Sequence, residues 1–278
     1  MTFRASTEDL FGGNPDLRVA VTLPYRANLI YDWLGPESNI SMEELRDYHS
    51  AWQYLQLSGQ ISQEDLRPVI QADTKPGRRN QSRMISLLLG DLPTIRYCPL
   101  CITADTVMVR EAYWHQSHQL CGVKYCPVHG ARLLPYNNLA LTKRLGRYIP
   151  ASAVLATSSL EEMTNVGYSS VEAAERQDPF YGHYLRLAHV IAWLLEYGLS
   201  LGNFGDIVKM YSRSLGIPDD SSPRGDDLLQ IVTETWSIEF VNDLSPNGEL
   251  IDEIRNTPLS RFRPISHALL IGAIRGIR

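Results

Sequence analysis

The chain has few cysteines and no long apolar run, and both absences restrict what it can be. The most apolar window, Leu185–Leu201, is interrupted by Arg186, His189 and Glu196, so no transmembrane helix is expected. The N-terminus has no basic segment followed by an apolar stretch, which predicts no signal peptide. Nothing suggests export to an oxidising compartment, and we expect a cytoplasmic protein with reduced thiols and no membrane partner.

The sequence also lacks the short motifs of common catalytic sites. It has no Walker A run, no GxGxxG, no GxSxG and no HExxH. A zinc deaminase needs an HxE motif, and none of the seven histidines has a glutamate two residues on. The adjacent acids Glu161-Glu162 and Asp219-Asp220 diverge on any regular element, so we expect them at the surface. We predict that the chain is not an enzyme.

Two short knuckles hold three of the four cysteines. They are Cys98-Pro-Leu-Cys101 and Cys126-Pro-Val-His129, with 24 residues between them. Each knuckle offers two ligands on a tight turn, and thiolate and imidazole suit tetrahedral zinc. Gly130 follows the second knuckle, where a residue with positive φ is needed. The spacing predicts one structural zinc ion, since four protein ligands leave no open coordination position. Its ligands are Cys98, Cys101, Cys126 and His129.

The fourth cysteine leaves an alternative ligand set open. Cys121 and His118 form a two-ligand unit, His118-Gln-Leu-Cys121, that competes with the knuckles. The CPxC and CPxH turns fit a zinc site better, so we interpret Cys121 as a buried thiol. His115 lies three residues before His118, and we assign both to packing or hydrogen bonding within the module. Trp114 lies between the ligand pairs, where a small metal-binding unit needs a large side chain for its core.

Helical patterns on both sides of the knuckles predict a mainly α fold, in which a helical protein is built around a zinc-knuckle module. Ser41 and Glu44 have the spacing of a capping box. Residues 172–200 have the pattern of one long helix or two short ones, residues 226–240 that of an amphipathic helix, and residues 264–277 that of a final helix. We predict an N-terminal helical region at 1–93, the zinc-knuckle module at 94–136 and a C-terminal helical domain at 137–278.

The net charge of −5 averages over regions of opposite sign. Five basic residues and no acid lie in Lys124–Arg147, and five basic residues and one acid lie in Arg67–Arg83. Asp206–Glu253 carries eleven acids and three bases instead. Basic surface near the knuckles is suited to contact DNA phosphates. The candidate DNA-binding residues are Arg78, Arg79, Arg83, Lys124, Arg132, Lys143, Arg144 and Arg147.

Three segments of the chain resemble the TniQ/TnsD family, most strongly over residues 95–135. They are Arg96-Tyr-Cys-Pro-Leu-Cys, Glu111-Ala-Tyr-Trp-His-Gln-Ser-His-Gln-Leu and Gly122-Val-Lys-Tyr-Cys-Pro-Val-His-Gly-Ala-Arg-Leu-Leu. Shorter similarities lie upstream, at Leu10-Phe-Gly-Gly, and downstream, around His267-Ala-Leu-Leu-Ile. The combination of a YCPxC knuckle, a tryptophan segment and a CPxHG knuckle is specific, whereas a lone CxxC would not be.

The resemblance implies a target-selection protein of a bacterial transposon related to the TnsABC systems. Such proteins bind attachment-site DNA or associate with an RNA-guided effector complex, and they recruit the AAA+ ATPase TnsC. Double-stranded DNA and TnsC are therefore the expected partners, followed by the TnsA/TnsB transposase complex or a CRISPR-type effector. TnsD-type members continue past the segment that contains His267, so we expect this chain to be a shortened form.

Two other hypotheses stay open at the level of the sequence. The chain could be a pure protein–protein adaptor that links TnsC to an RNA-guided effector, with little DNA affinity of its own. Its docking surface would then include the acidic region Asp226–Glu253. The chain could also be an unrelated zinc-ribbon regulator that shares the knuckles by convergence. Salt-dependent DNA binding separates the adaptor from the DNA-binding hypothesis, and TnsC binding separates both from the third.

Overall fold

The computed structural model describes residues 35–47, 94–136, 151–201, 204–218 and 223–276, together with 31–32, 51, 54–55, 57 and 87. These residues are mainly helical, which confirms the predicted fold class. The α-helices are α1 (Met42–Asp47), α2 (Pro99–Met108), α3 (Leu160–Gln177), α4 (Tyr181–Tyr197), α5 (Phe204–Ser214), α6 (Gly225–Trp236), α7 (Ile238–Leu244), α8 (Glu249–Asn256) and α9 (Pro264–Arg275). Short 3-10 turns are found at Pro36–Ser38, Ser117–Gln119, Ala151–Ala156, Gly198–Leu201 and Leu259–Arg261. In the described part, no helix is long and apolar enough to cross a membrane.

A two-stranded antiparallel sheet closes the knuckle region. Strand β1 (Arg96–Tyr97) pairs with β2 (Leu134–Pro135), with Arg96 opposite Pro135 and Tyr97 opposite Leu134. β1 directly precedes the first knuckle and β2 follows the second, so their pairing brings the two knuckles side by side.

Helix α2 starts in the first knuckle and packs along α3. The start of α3 is capped by Ser159, whose Oγ accepts from the Glu162 amide at 3.2 Å, while Glu162 Oε2 accepts from the Ser159 amide at 2.7 Å. Gly167 lies at the contact, and a Cβ atom there would overlap the Leu100 side chain. The two helices can therefore approach closely only because this position has no side chain.

The C-terminal helices pack around one buried tryptophan. Helix α9 contacts α4 and α6, and α8 also packs against α6. Trp236 is fully buried, and its Nε1 donates to the carbonyl of Leu269 at 2.8 Å. The Arg186 guanidinium lies 4.8 Å from the centre of the Trp236 ring and donates to the carbonyl of Gly272 at 3.1 Å. These contacts tie α4, α6 and α9 together.

The predicted helices are present with corrected bounds. The pattern at 172–200 corresponds to two helices, because the end of α3 and the start of α4 are separated at Asp178-Pro179. The helix predicted at 226–240 breaks at Ser237, whose φ of 61° cannot continue a right-handed helix. The final helix ends at Arg275, where Gly276 takes the left-handed conformation. The capping box at Ser41 and Glu44 is confirmed, with bonds of 2.7 and 3.1 Å.

One cluster of buried residues runs from the knuckles into the C-terminal helices. It joins Cys98 and Tyr125 to Leu187 of α4 and Leu269 of α9. A second cluster surrounds Trp114, as expected for a small core, and includes residues 95, 102, 136, 154 and 163. The division into separate domains at 1–93, 94–136 and 137–278 stays a prediction.

Candidate metal centre

The two knuckles bring four potential ligands into one buried cluster. The ligand atoms of Cys98, Cys101, Cys126 and His129 all lie within 4.8 Å of one another. His129 Nδ1 is 3.7 Å from the sulfur of Cys98, 3.3 Å from that of Cys101 and 3.7 Å from that of Cys126. The sulfurs of Cys101 and Cys126 are 3.6 Å apart.

These separations have the size of the edges of a metal tetrahedron. With metal–sulfur bonds of about 2.3 Å and metal–nitrogen bonds of about 2.0 Å, tetrahedral angles place two sulfurs roughly 3.8 Å apart and a sulfur and a nitrogen roughly 3.5 Å apart. The observed distances of 3.3–3.7 Å agree within a few tenths of an ångström. The four side chains could therefore hold one metal ion without a large rearrangement.

Local helix geometry positions the first knuckle. Cys98 is the N-cap of α2 in an extended conformation, and Pro99 occupies the first helical position, where its missing N–H costs nothing. The amide of Ile102 donates to the carbonyl of Cys98 at 3.1 Å and closes the first turn. Cys98 and Cys101 thus project from the same end of α2, three residues apart.

A tight turn positions the second knuckle. The Gly130 amide donates to the Cys126 carbonyl at 2.9 Å, and the Cys126 amide donates to the Ala131 carbonyl at 2.8 Å. Gly130 has a φ of 67°, which confirms the expected positive φ. A Cβ atom at Gly130 would also overlap the hydroxyl of Tyr181. The backbone conformation therefore favours glycine here, and any larger residue would also displace the Tyr181 side chain.

Arg96 and Gln119 hold the loop between the knuckles, and neither role was predicted from the sequence. The buried guanidinium of Arg96 donates to the carbonyls of Val123 at 2.6 Å and Leu120 at 3.0 Å, and burial lowers its pKa to about 10. The amide group of Gln119 accepts from the Arg96 amide at 2.9 Å and donates to the Arg96 carbonyl at 2.7 Å. The only feature of the sequence that could have indicated these roles is the position of Arg96 in the RYCPxC segment and of Gln119 in the HQL segment.

The three thiols of the cluster share their protons unequally. Hydrogen bonds from Cys101 and Cys98 to Cys126 hold the pKa of Cys126 well below its usual range. The pKa of Cys101 is raised by its hydrogen bonds with Cys126 and Cys98 and by burial. Cys101 lowers the pKa of Cys98, but Cys126 and burial outweigh it and raise that pKa to about 12. A bound divalent cation would favour the ionised form of all three sulfurs.

The alternative ligand Cys121 belongs to no candidate metal-binding group of three or more described residues. Among the described residues, the groups that could hold a metal include His118 but not Cys121. His118 is 1% exposed and its Nε2 lies 3.9 Å from the sulfur of Cys101, farther than His129. Burial lowers the pKa of His118. Cys121 is partly exposed, so its interpretation as a buried thiol was wrong.

Asp178 connects the second knuckle to the junction of α3 and α4. One of its oxygens accepts from Lys124 Nζ at 2.7 Å and from the Tyr125 hydroxyl at 2.6 Å, and the other accepts from the Phe180 amide at 3.0 Å. Burial would raise the pKa of Asp178, but the hydrogen bonds from Lys124 and Tyr125 outweigh it and lower that pKa. Lys124 also lies 4.5 Å from the ring centre of Tyr184.

The candidate DNA-binding residues are only partly described. Lys124 is half-buried in its ion pair with Asp178, whereas Arg132 is exposed beside the second knuckle, in a bridge with Tyr125. The remaining six lie outside the described residues: Arg78, Arg79, Arg83, Lys143, Arg144 and Arg147. A DNA-binding role for all eight stays a prediction.

A comparison with protein families identifies the region that contains this cluster. The TniQ family model matches residues 9–133, which include both knuckles and end just after the second one. Residues 9–133 are therefore similar to the TniQ domain. This confirms the resemblance to the TniQ/TnsD family. No curated protein matches the chain.

The TniQ domain indicates the general role of the chain. It implies an adaptor associated with transposition, a process in which proteins of this family work with DNA and other transposon proteins. TniQ proteins form a non-catalytic adaptor family. The Cys/His cluster lies inside the TniQ match, so the candidate metal centre belongs to the matched region.

Proposed function

We propose that this chain is the target-selection adaptor of a TnsABC-like bacterial transposon, which binds attachment-site DNA and recruits the AAA+ regulator TnsC. The observation that carries the proposal is the TniQ match over residues 9–133, which encloses the four-ligand cluster. The proposed role needs no active site in this chain, because the transposase supplies the chemistry.

The metal that fits the cluster is zinc in a structural role. Three sulfurs and one imidazole nitrogen at tetrahedral separations are the donor set of closed structural zinc sites. Cys98, Cys101 and Cys126 would bind as thiolates, and His129 would bind through Nδ1. Because the ligands join the start of α2 to the second knuckle, the ion would hold these two segments in place, and its binding energy would contribute to folding.

Arg132 is the candidate for DNA contact that the described structure supports best. It is exposed beside the second knuckle and follows Gly130 and Ala131, whose backbone is fixed by the turn. Lys124 is less available, because moving to a phosphate would break its bond with Asp178 and leave that carboxylate half-buried. The supporting charge comes from the acid-free region Lys124–Arg147.

The protein–protein alternative has a specific observation in its favour. Acidic side chains are exposed on consecutive C-terminal elements, including Asp226 and Glu234 of α6, Glu239 of α7 and Asp252 of α8. Such a surface repels DNA and suits a basic partner. In this second candidate function, the chain would link TnsC to an RNA-guided effector with little DNA affinity of its own.

Binding to duplex DNA across a salt series tests the proposal. The zinc-loaded chain is titrated with fluorescent duplex, with and without TnsC and nucleotide. We expect the logarithm of the affinity to fall linearly with the logarithm of the salt concentration, with a slope of about 0.9 per phosphate contact. Arg132→Ala should weaken binding and reduce that slope by about one.

Arg176→Ala is the matched control. Arg176 is also exposed, but it lies on α3 in a surface pair with Glu172 and outside the basic regions. Its removal should leave both affinity and slope unchanged. Equal effects of the two variants would show that only net charge matters. Binding that requires TnsC would overturn the DNA-binding role and support the alternative.

A further inference from the structure

Two short elements place three polar side chains next to the candidate metal centre. Asp105 lies four residues after Cys101 on α2, so both side chains face the same side of the helix. His115 and His118 lie at the 3-10 turn Ser117–Gln119, where the His118 amide donates to the His115 carbonyl at 3.2 Å. Residues three apart in such a turn are aligned, so both imidazoles face α2.

The contacts form a continuous chain that ends at a sulfur of the cluster. Asp105 Oδ2 is 2.9 Å from His115 Nε2. The ring centres of His115 and His118 are 4.8 Å apart, at a tilt of 32°. His118 Nε2 is 3.9 Å from the sulfur of Cys101, within the range of an N–H···S hydrogen bond. His118 is buried, whereas His115 retains 22% of its side-chain exposure.

The distances separate His118 from the four ligands. His129 Nδ1 is within 3.7 Å of all three sulfurs, as a fourth tetrahedral ligand must be. His118 approaches the cluster from Cys101 and lies farther away than His129 does. The tetrahedron is therefore complete without His118, which is placed to contact a ligand instead of the ion.

We propose that His118 is a positioning residue that donates its Nε2–H to the Cys101 thiolate, and that Asp105 and His115 hold its ring in place. The inference rests on the proposed metal centre and extends it to residues outside the ligand set. Three thiolates around a divalent ion carry a net charge of −1, which is buried here. A donor aimed at one sulfur stabilises that charge and fixes the orientation of the ligand.

Metal affinity and cobalt spectra of His118 variants test this role. In competition with a chelator, we expect His118→Leu to bind zinc roughly 10–100-fold more weakly than the parent chain. His118→Gln should recover part of the loss, because its amide can still donate to sulfur. With Co²⁺ in place of zinc, both variants should keep the absorption of a four-coordinate site with three sulfurs and one nitrogen.

His189→Gln on α4 serves as the matched control and should leave zinc affinity unchanged. Asp105→Ala is a second variant that leaves the buried His118 in place, and we expect a smaller loss of affinity from it. Unchanged zinc affinity in His118→Leu would overturn the inference, and if that variant did not fold, unchanged affinity in Asp105→Ala would overturn it. A cobalt spectrum of His118→Leu that shows a lost nitrogen ligand would also overturn it, because His118 would then bind the metal itself.

An error in the proposed metal centre can be distinguished from an error in the role of His118. If the parent chain bound neither zinc nor cobalt, the proposed centre would be wrong, and the role of His118 would fall with it. If the parent bound zinc tightly and no His118 variant changed the affinity, only the inference about His118 would be wrong.

Discussion

At the scale of single residues, the position of a cysteine relative to the knuckles decides its role. Cys98 is buried in the cluster within 3.7 Å of His129, whereas Cys121 is partly exposed and outside it. The two thiols are chemically identical, so substituting each by serine isolates the effect of position.

Cys98→Ser should lose zinc and destabilise residues 94–136. Serine cannot supply a thiolate, and the energy of metal binding at such a site is also folding energy, roughly 10–16 kcal/mol in zinc-finger peptides. Zinc content by elemental analysis and thermal unfolding measure the effect. Full zinc content and an unchanged melting curve would show that Cys98 is not a ligand.

Cys121→Ser is the companion variant and should keep one zinc per chain. A loss of zinc from this variant would make Cys121 a ligand and would revive its pairing with His118. The comparison is matched, since both variants exchange one sulfur atom for oxygen in the same region of the chain.

At the scale of elements, the contact of α2 with α3 depends on one glycine. Gly167 is buried against Leu100, which lies in the first turn of α2 next to the candidate ligand Cys101. Because the knuckle restrains this turn, Leu100 has little freedom to move away from an added methyl group. The packing of α3 is thereby linked to the geometry of the candidate metal centre.

Gly167→Ala should destabilise the protein by about 1–3 kcal/mol, since the new methyl group overpacks the helix contact. Gly182→Ala on α4 is the matched control, because a Cβ atom at that position meets no atom within 4 Å. There the same change should stabilise by about 0.5–1 kcal/mol, through helix propensity alone. Denaturant unfolding measures both, and equal effects would contradict the close packing.

At the scale of the whole molecule, a buried histidine couples stability to pH. His267 of α9 is fully buried, and its Nδ1 lies 2.9 Å from the hydroxyl of Tyr211 on α5. Burial lowers the pKa of His267 from 6.5 to about 3. The unfolded chain therefore binds a proton below pH 6.5, whereas the folded chain does not until about pH 3.

We expect His267 to make the protein less stable as the pH falls from 6.5 towards 3. Each pH unit in this window costs about 1.4 kcal/mol, because only the unfolded state gains the proton, and above pH 6.5 the contribution is constant. His267→Gln removes this titration, so its unfolding free energy should depend less on pH. Denaturant unfolding between pH 7 and 4 measures the difference, and parallel curves for the two proteins would refute it.

The sequence predicted best those features that depend on neighbouring residues. The capping box at Ser41 and Glu44 spans one helical turn, and the positive φ of Gly130 belongs to the tight turn it ends. A second capping box escaped notice, because Glu162 was assigned to the surface as one of two adjacent acids. Both roles hold for Glu162, which is exposed and still caps the helix.

Contacts between distant residues could not be predicted in the same way. Lys124 was assigned to DNA on the basis of local charge, but its bond to Asp178 crosses 54 positions. Asp105 and His115 are ten residues apart, and their contact depends on the turn that follows α2. No periodicity or motif marks these pairs.

The amino-acid sequence by itself determined the identity and number of the candidate ligands, since knuckle spacing is a local property of the chain and suits tetrahedral coordination. It also determined the mainly helical character and the family resemblance. Only the tertiary structure showed how far His129 and His118 lie from the sulfurs, because these distances depend on how β1, β2 and α2 pack. It likewise showed which basic residues are exposed, since ion pairs such as that of Lys124 with Asp178 form only when separate elements meet.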